Sequence, residues 1–200
     1  MTRRFISILS VACIVLLAGL MPALAQTAVE PRAPTQEELN TPSGDASNAR
    51  EMMLLARPTI TVGGESNWDD GYGALLGAFK TLRGEARRLG LAIVGPPQAI
   101  FTHTDDAGFK FEAFLVLNEN PDASLKLLNK MKFSASPAGR AFVFQHVGAY
   151  DDIDSTYEAI TAWLDEKNLS SKGAFVEEYL NEPEGSDDAL LKLNIYVFIE

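Results

Sequence analysis

Apolar and polar positions along the last third of the chain specify strands and one helix before any chemistry is considered. Between Arg140 and Val147, Phe142, Phe144 and His146 fall on one face, and Ala141, Val143 and Val147 on the other. Both faces are largely apolar, which predicts a central strand. The last stretch, Lys192 to Glu200, places Leu193, Ile195, Val197 and Ile199 on one side. Between them, over Asp152 to Asn168, the period changes. Ile153, Tyr157, Ile160 and Leu164 recur at intervals of four, three and four, with acids in the first turn where a helix dipole favours negative charge. Gly173 marks a turn into a further strand over Ala174 to Asn181, and Glu182 to Asp188 form an acidic loop. The two strands after the helix are close enough in sequence to pair antiparallel.

The same plan occurs earlier in the chain. Trp68-Asp69-Asp70 precedes Tyr150-Asp151-Asp152 by 82 residues, and at that offset Ile60 meets Phe142, Val62 meets Phe144, Leu75 meets Tyr157 and Leu82 meets Leu164. After a gap of four residues the match resumes, with Gly95 facing Gly173 and Phe101 facing Tyr179. The expectation is an α+β fold made of a duplicated strand–helix–strand–strand unit, one copy over 58–118 and the other over 131–200. Gly71, Gly73, Gly77 and Gly84 lie in or near the first helix. An interior glycine costs a helix about 1 kcal/mol relative to alanine, so close packing or a later start is expected there. Their spacing is not that of a nucleotide-binding loop.

The N-terminal region reads differently. Arg3 and Arg4 precede an apolar run from Phe5 to Leu20, and Ala23-Leu24-Ala25 supplies the small residues a signal peptidase reads. Residues 1–25 are therefore expected to be a cleaved signal peptide, with Gln26 the new N-terminus and the product exported to the periplasm or the medium. The rival expectation is an uncleaved anchor over Phe5 to Leu24; after cleavage no stable membrane insertion is expected. Pro31, Pro34, Pro42 and Gly44 mark residues 26–57 as a flexible linker, with a short helical turn over Glu51 to Ala56. Cys13 is the only cysteine and would be lost with the signal, leaving neither a disulfide nor a thiol nucleophile. Removing Arg3 and Arg4 takes the formal charge from −10 to −12. Such acidity argues against nucleic acid and anionic membranes as partners, and favours cationic or neutral ones.

The usual catalytic constellations are mostly missing from the sequence, and a Ser–His–Asp triad, whose members can come from anywhere in a chain, stays open without a motif to support it. His103 and His146 are the only histidines and do not stand at metal-ligand spacing, and no nucleophile-elbow motif is present. Nothing specifies a cofactor or a metal. His146 shares a strand face with two phenylalanines and is expected to be packed and hydrogen-bonded. One strand carries more information: Phe175-Val176-Glu177-Glu178-Tyr179-Leu180-Asn181 contains two adjacent carboxylates. Alternation puts Glu177 and Tyr179 on one face and Glu178 on the other, so one glutamate faces inward, where its pKa is open to large shifts, unless this is an edge strand with both faces in water.

Five segments, in order, carry a family resemblance. They are Pro137-Ala138-Gly139-Arg140, Gly148-Ala149-Tyr150-Asp151, the helix residues Tyr157-Glu158-Ala159-Ile160 with Trp163-Leu164, the strand Glu177-Glu178-Tyr179-Leu180-Asn181-Glu182-Pro183, and Ile195-Tyr196-Val197. Together they resemble the GyrI-like, or bacterial effector-binding, domain, more weakly in the first half. The resemblance implies antiparallel sheets with two helices, pseudo-two-fold symmetry, and a ligand cleft between the repeats that takes small amphipathic or cationic molecules. It implies that the cleft glutamate is Glu177, beside Tyr179, with Tyr150, Trp163 and Trp68 as further aromatic candidates. A second acid often present on the last strand of the family is Asn194 here, which would weaken a preference for strongly cationic ligands. Two further functions stay open: a GyrI-like hydrolase in which Glu177 activates water and Tyr179 orients the substrate, and a protein-interaction domain.

Overall fold

A computed structural model describes residues 48–200. The expected signal sequence, including Cys13, and the linker up to residue 47 lie outside the described residues. In chain order the elements are β1 (Arg50–Leu54), β2 (Pro58–Ser66), α1 (Gly71–Leu89), β3 (Gln98–Asp105), β4 (Gly108–Val116), β5 (Lys132–Ala135), β6 (Gly139–Val147), α2 (Ile153–Glu166), β7 (Ser171–Tyr179) and β8 (Lys192–Ile199). A single 3₁₀ turn, Tyr150–Asp152, leads into α2. The fold is α+β: one antiparallel sheet of eight strands, ordered β1-β6-β8-β7-β3-β4-β2-β5, with two helices.

The two halves share element order and also strand register. Shifting by 82 carries the Thr59–Val116 pair of β2 and β4 onto the Ala141–Phe198 pair of β6 and β8. Gln98, opposite Phe114, maps onto Val176, opposite Tyr196, once the four-residue gap before β3 is allowed for. Both helices end in a left-handed residue, Gly90 (φ 68°) and Asn168 (φ 52°), followed by a bond from the next N–H back to the last turn: Leu91 to Ala86 O at 2.9 Å, Leu169 to Leu164 O at 3.0 Å. This arrangement satisfies carbonyls that a helix end would leave bare.

The helical turn expected over Glu51 to Ala56 is instead strand. In β1 every second residue is half-buried, and the strand covers the open edge of β6. Glu51 pairs there with Arg140 at 2.6 Å. Five residues make too few turns for a stable helix, whereas a sheet edge offers each of them a backbone partner.

One core joins the halves. Leu75, Phe79 and Leu82 of α1 and Ile160 and Leu164 of α2 pack with Ile60, Leu115, Phe142, Phe144, Leu193, Ile195, Val197 and Ile199 of the sheet. On the opposite face Phe114, Val116, Ala141, Val176 and Phe198 form a smaller cluster. Of the α1 glycines, only Gly71 is held by close packing, since a Cβ there would meet the Phe109 ring at 2.7 Å; Gly73, Gly77 and Gly84 border open space.

Two glycine substitutions separate strain from propensity. Gly108 has φ +154°, and a Cβ on it would lie 2.1 Å from the Ser66 carbonyl oxygen. Gly108→Ala is expected to destabilise the protein by more than about 2 kcal/mol in urea denaturation. Gly77→Ala, on an open helix face, is expected to stabilise by about 0.5–1 kcal/mol in the same measurement.

Candidate functional site

The halves meet at a short seam. β3 and β7 pair over three positions only, Gln98–Glu178, Ala99–Glu177 and Ile100–Val176. The next residues along, Phe101 and Phe175, are not paired, and both line a cavity of about 730 Å³. Its other walls are Trp68 and Asp69 ahead of α1, Tyr150 and Asp151 of the 3₁₀ turn, Ile153, Asp154 and Tyr157 at the start of α2, and Ser186. The cleft therefore opens between the first turns of the two helices, where the seam strands part.

Glu177 forms its floor. Alternation turns this side chain to the helix-bearing face, beside Ala99 across one ladder and Ile195 across the other. It is 1% exposed. Three phenols surround it. Tyr157 donates to Oε1 at 2.7 Å, Tyr150 approaches Oε2 at 3.4 Å, and Tyr179 donates to Oε2 through a short bond. Burial raises the Glu177 pKa, the three hydroxyls partly offset it, and the balance stands at about 7. The phenols of Tyr150, Tyr157 and Tyr179 are pushed well above their ordinary value, first by burial and then by the neighbouring carboxylate. They are donors throughout the physiological range.

Behind this shell the rings stack. Tyr179 packs edge-on against Phe79 at 5.0 Å and lies 6.5 Å from Tyr150, and Tyr72 lies 5.1 Å from Tyr150. The acidic loop is tied across both halves. Glu182 pairs with Arg83 of α1, the Pro183 carbonyl accepts from Tyr72 at 2.7 Å, and the Ser186 carbonyl accepts from the Asp151 N–H at 3.2 Å.

The structure brings Glu177, Tyr179, Tyr150 and Trp68 together, in different roles. Tyr150 and Trp68 line the cavity, Trp68 being 52% exposed with its indole N–H on the Asp105 carbonyl at 3.0 Å. Tyr179 lies behind Glu177, buried, and holds it. Trp163 does not join them. Its ring packs on Phe142 at 4.9 Å and Phe144 at 5.3 Å, among the core residues. Six residues beyond Tyr157, it points about 120° away around the helix. Asn194 also falls outside the cleft. It occupies the opposite sheet face, where its Nδ2 donates to Glu178 at 2.8 Å, so an amide at this position does not set the charge of the cavity. Glu178 accepts there from Gln98 and Tyr196 as well. His146 is buried between the Thr156 hydroxyl, at 2.8 Å, and the Ala149 carbonyl, at 3.2 Å, and burial lowers its pKa. Among the described residues no cluster of three or more histidine, cysteine or acidic side chains is placed to hold a metal ion.

Sequence reasoning placed Tyr157 in the helix stripe but missed its hydroxyl, and missed Phe101 and Phe175 as walls. The signal for Tyr157 was present: a phenol among Ile153, Ile160 and Leu164 needs a partner, and the buried acid supplies one.

An α+β fold with a cleft floored by a buried carboxylate and walled by aromatics defines a small-molecule-binding domain. The sequence profile of the GyrI-like small molecule binding domain matches residues 54–200, and the chain belongs to that family. No curated protein matches the sequence significantly. Among solved structures, the C-terminal domain of EcmrR is 13% identical with a TM-score of 0.63, over 76% of this chain and 97% of that one. EcmrR in its complex with DNA is 14% identical with a TM-score of 0.62, over 76% of this chain and 57% of that one. A hydrolase from Listeria innocua is 13% identical with a TM-score of 0.57, over 82% of this chain and 96% of that one. At such identities the likeness is one of fold.

The pH dependence of stability tests the burial of Glu177. From its ordinary value of 4.5 up to about 7, the folded protein keeps a proton that the unfolded chain has released. Stability therefore falls as pH rises through that window, by about 3 kcal/mol in total. Glu177→Gln removes this titration. Its Tm relative to wild type is expected to rise by at least about 5 °C between pH 5 and pH 8; a difference constant with pH would contradict the assignment.

Proposed function

We propose that this domain captures small amphipathic cations in the cleft above Glu177. The observation that carries the reading is a buried carboxylate at the floor of an aromatic cavity whose lining contains five acids and no lysine, arginine or histidine. Such a cavity attracts positive charge over its whole depth. Trp68, Phe101 and Phe175 offer ring faces to an apolar body and to a cation. When Glu177 is ionised all three phenols donate to it, which leaves few acceptor positions for N–H groups. This favours cations with shielded charge over primary amines, whose ammonium protons would lose their water without replacement. In this reading the domain is exported and acts in the periplasm or outside the cell, without a nucleic-acid partner. Its excess of acids repels phosphate backbones.

A hydrolase reading rests on one observation. A carboxyl group with a pKa of about 7 is matched to general-base work near neutrality, and a hydrolase is among the proteins of similar fold. Against it stands the same hydroxyl shell, which occupies the lone pairs a water molecule would need. A protein-docking reading has less support, since the aromatic residues converge on an enclosed cleft instead of forming an exposed patch.

Tetraphenylphosphonium and tetraphenylborate, alike in shape and opposite in charge, separate these readings in a thermal-shift and Trp68 fluorescence titration. The cation is expected to stabilise the protein and the anion to leave it unchanged. Glu177→Gln should weaken cation binding about tenfold or more, whereas Trp163→Phe should leave it within about twofold. Failure of the cation to bind the folded protein would overturn the reading. Turnover of an electrophilic substrate that is lost in Glu177→Gln would replace it with the hydrolase.

A further inference from the structure

The cavity holds a carboxyl group with no counter-charge of its own. Among the described residues, every ionisable side chain that faces Glu177 is an acid or a phenol. Tyr179 lies on its own strand, Tyr150 and Asp151 come from the 3₁₀ turn, Tyr157 and Asp154 from α2, Asp69 from the turn before α1, and Asp105 from β3. Tyr72 of α1 stacks behind them. The flanking strands supply only Ala99 and Ile195 beside it. A negative charge at a position 1% exposed is costly unless something positive arrives from outside. Two candidates fit: a proton when the cavity is empty, and a cationic ligand when it is filled.

We propose, on the basis of the binding function inferred above, that capture is an exchange of the proton on Glu177 for one cationic ligand. Below neutrality the empty cleft holds Glu177 as the neutral acid, which donates its proton to one of the surrounding hydroxyls. As the cation enters between Trp68, Phe101 and Phe175, that proton leaves to water. All three phenols then donate to the carboxylate. Below neutrality the floor of the cavity carries no net charge before or after, which is the condition its burial imposes. No bond other than the O–H of Glu177 is broken, and nothing is oxidised or reduced.

The exchange gives the cleft a release mechanism. With Glu177 near 7, protons compete with the ligand below neutrality and not above it. The domain therefore holds its cargo in neutral or alkaline surroundings and discharges it in acid. The four rim aspartates stand in water, where screening limits their effect on the buried group. His146 anchors the turn that carries Tyr150, so its protonation in acid would disturb the site whatever the charge of the ligand. A neutral ligand serves as the control for that path.

Calorimetric titration of the full chain with tetraphenylphosphonium, in buffers of different ionisation enthalpy, counts the protons. At pH 6 close to one proton is expected to leave per ligand bound, falling to almost none at pH 9, with affinity about tenfold weaker at pH 6 than at pH 8. The infrared carbonyl band of a protonated carboxyl should disappear when ligand is added at pH 6, and that change should be absent from Glu177→Gln. Triphenylphosphine oxide, neutral and of similar shape, should bind without proton release. Cation binding with equal affinity at pH 6 and pH 8 and no buffer-dependent heat would overturn the exchange while leaving the binding function intact. No cation binding by the folded protein at any pH would remove both.

Discussion

A carboxyl group buried without a cation sets the terms for the rest of this domain. Transfer of a carboxylate out of water is expensive, and Glu177 is buried where the two half-sheets join. Three phenols reach it from three separate elements, the turn before α2, α2 itself and β7. Their hydroxyls offset part of the desolvation, and they do so only if α2 and the turn before it are packed on the sheet. The site is thus a product of the packing.

The two halves share a scaffold and differ in chemistry. At the offsets that align their registers, Glu177 corresponds to Ala99, Tyr179 to Phe101, Tyr157 to Leu75 and Tyr150 to Trp68. One half supplies the acid and all three hydroxyls; the other supplies apolar surface of similar shape. Ala99 and Glu177 also face each other across the seam. A second glutamate at residue 99 would set two carboxylates side by side, and an alanine at residue 177 would leave a wholly apolar cleft. The actual pair gives one titratable pole and one apolar wall.

Much of this was legible in the chain. The strand and helix periods, the repeat offset and the shared face of Glu177 and Tyr179 follow from alternation and from the 3.6-residue turn, which are local properties. β1 was not legible, because its fate depends on an open edge of β6 that lies 89 residues away in the Glu51–Arg140 pair. Trp163 and Asn194 were misplaced for a related reason. A conserved-looking type at a family position says which side chain is present, while the rotation of a helix and the parity of a strand decide which way it points.

The sequence by itself determined the order of strands and helix within each half, the α+β class and the strand that carries two adjacent carboxylates on opposite faces, since each follows from the spacing of residues that are near neighbours in the chain. Only the tertiary structure decided that Tyr150 and Tyr157 would share that carboxylate with Tyr179, that Phe101 and Phe175 would part to open a cavity, and that no basic side chain would reach it. Those facts depend on contacts between segments tens of residues apart, and on the absence of a counter-ion from every element packed against Glu177. No local pattern encodes either.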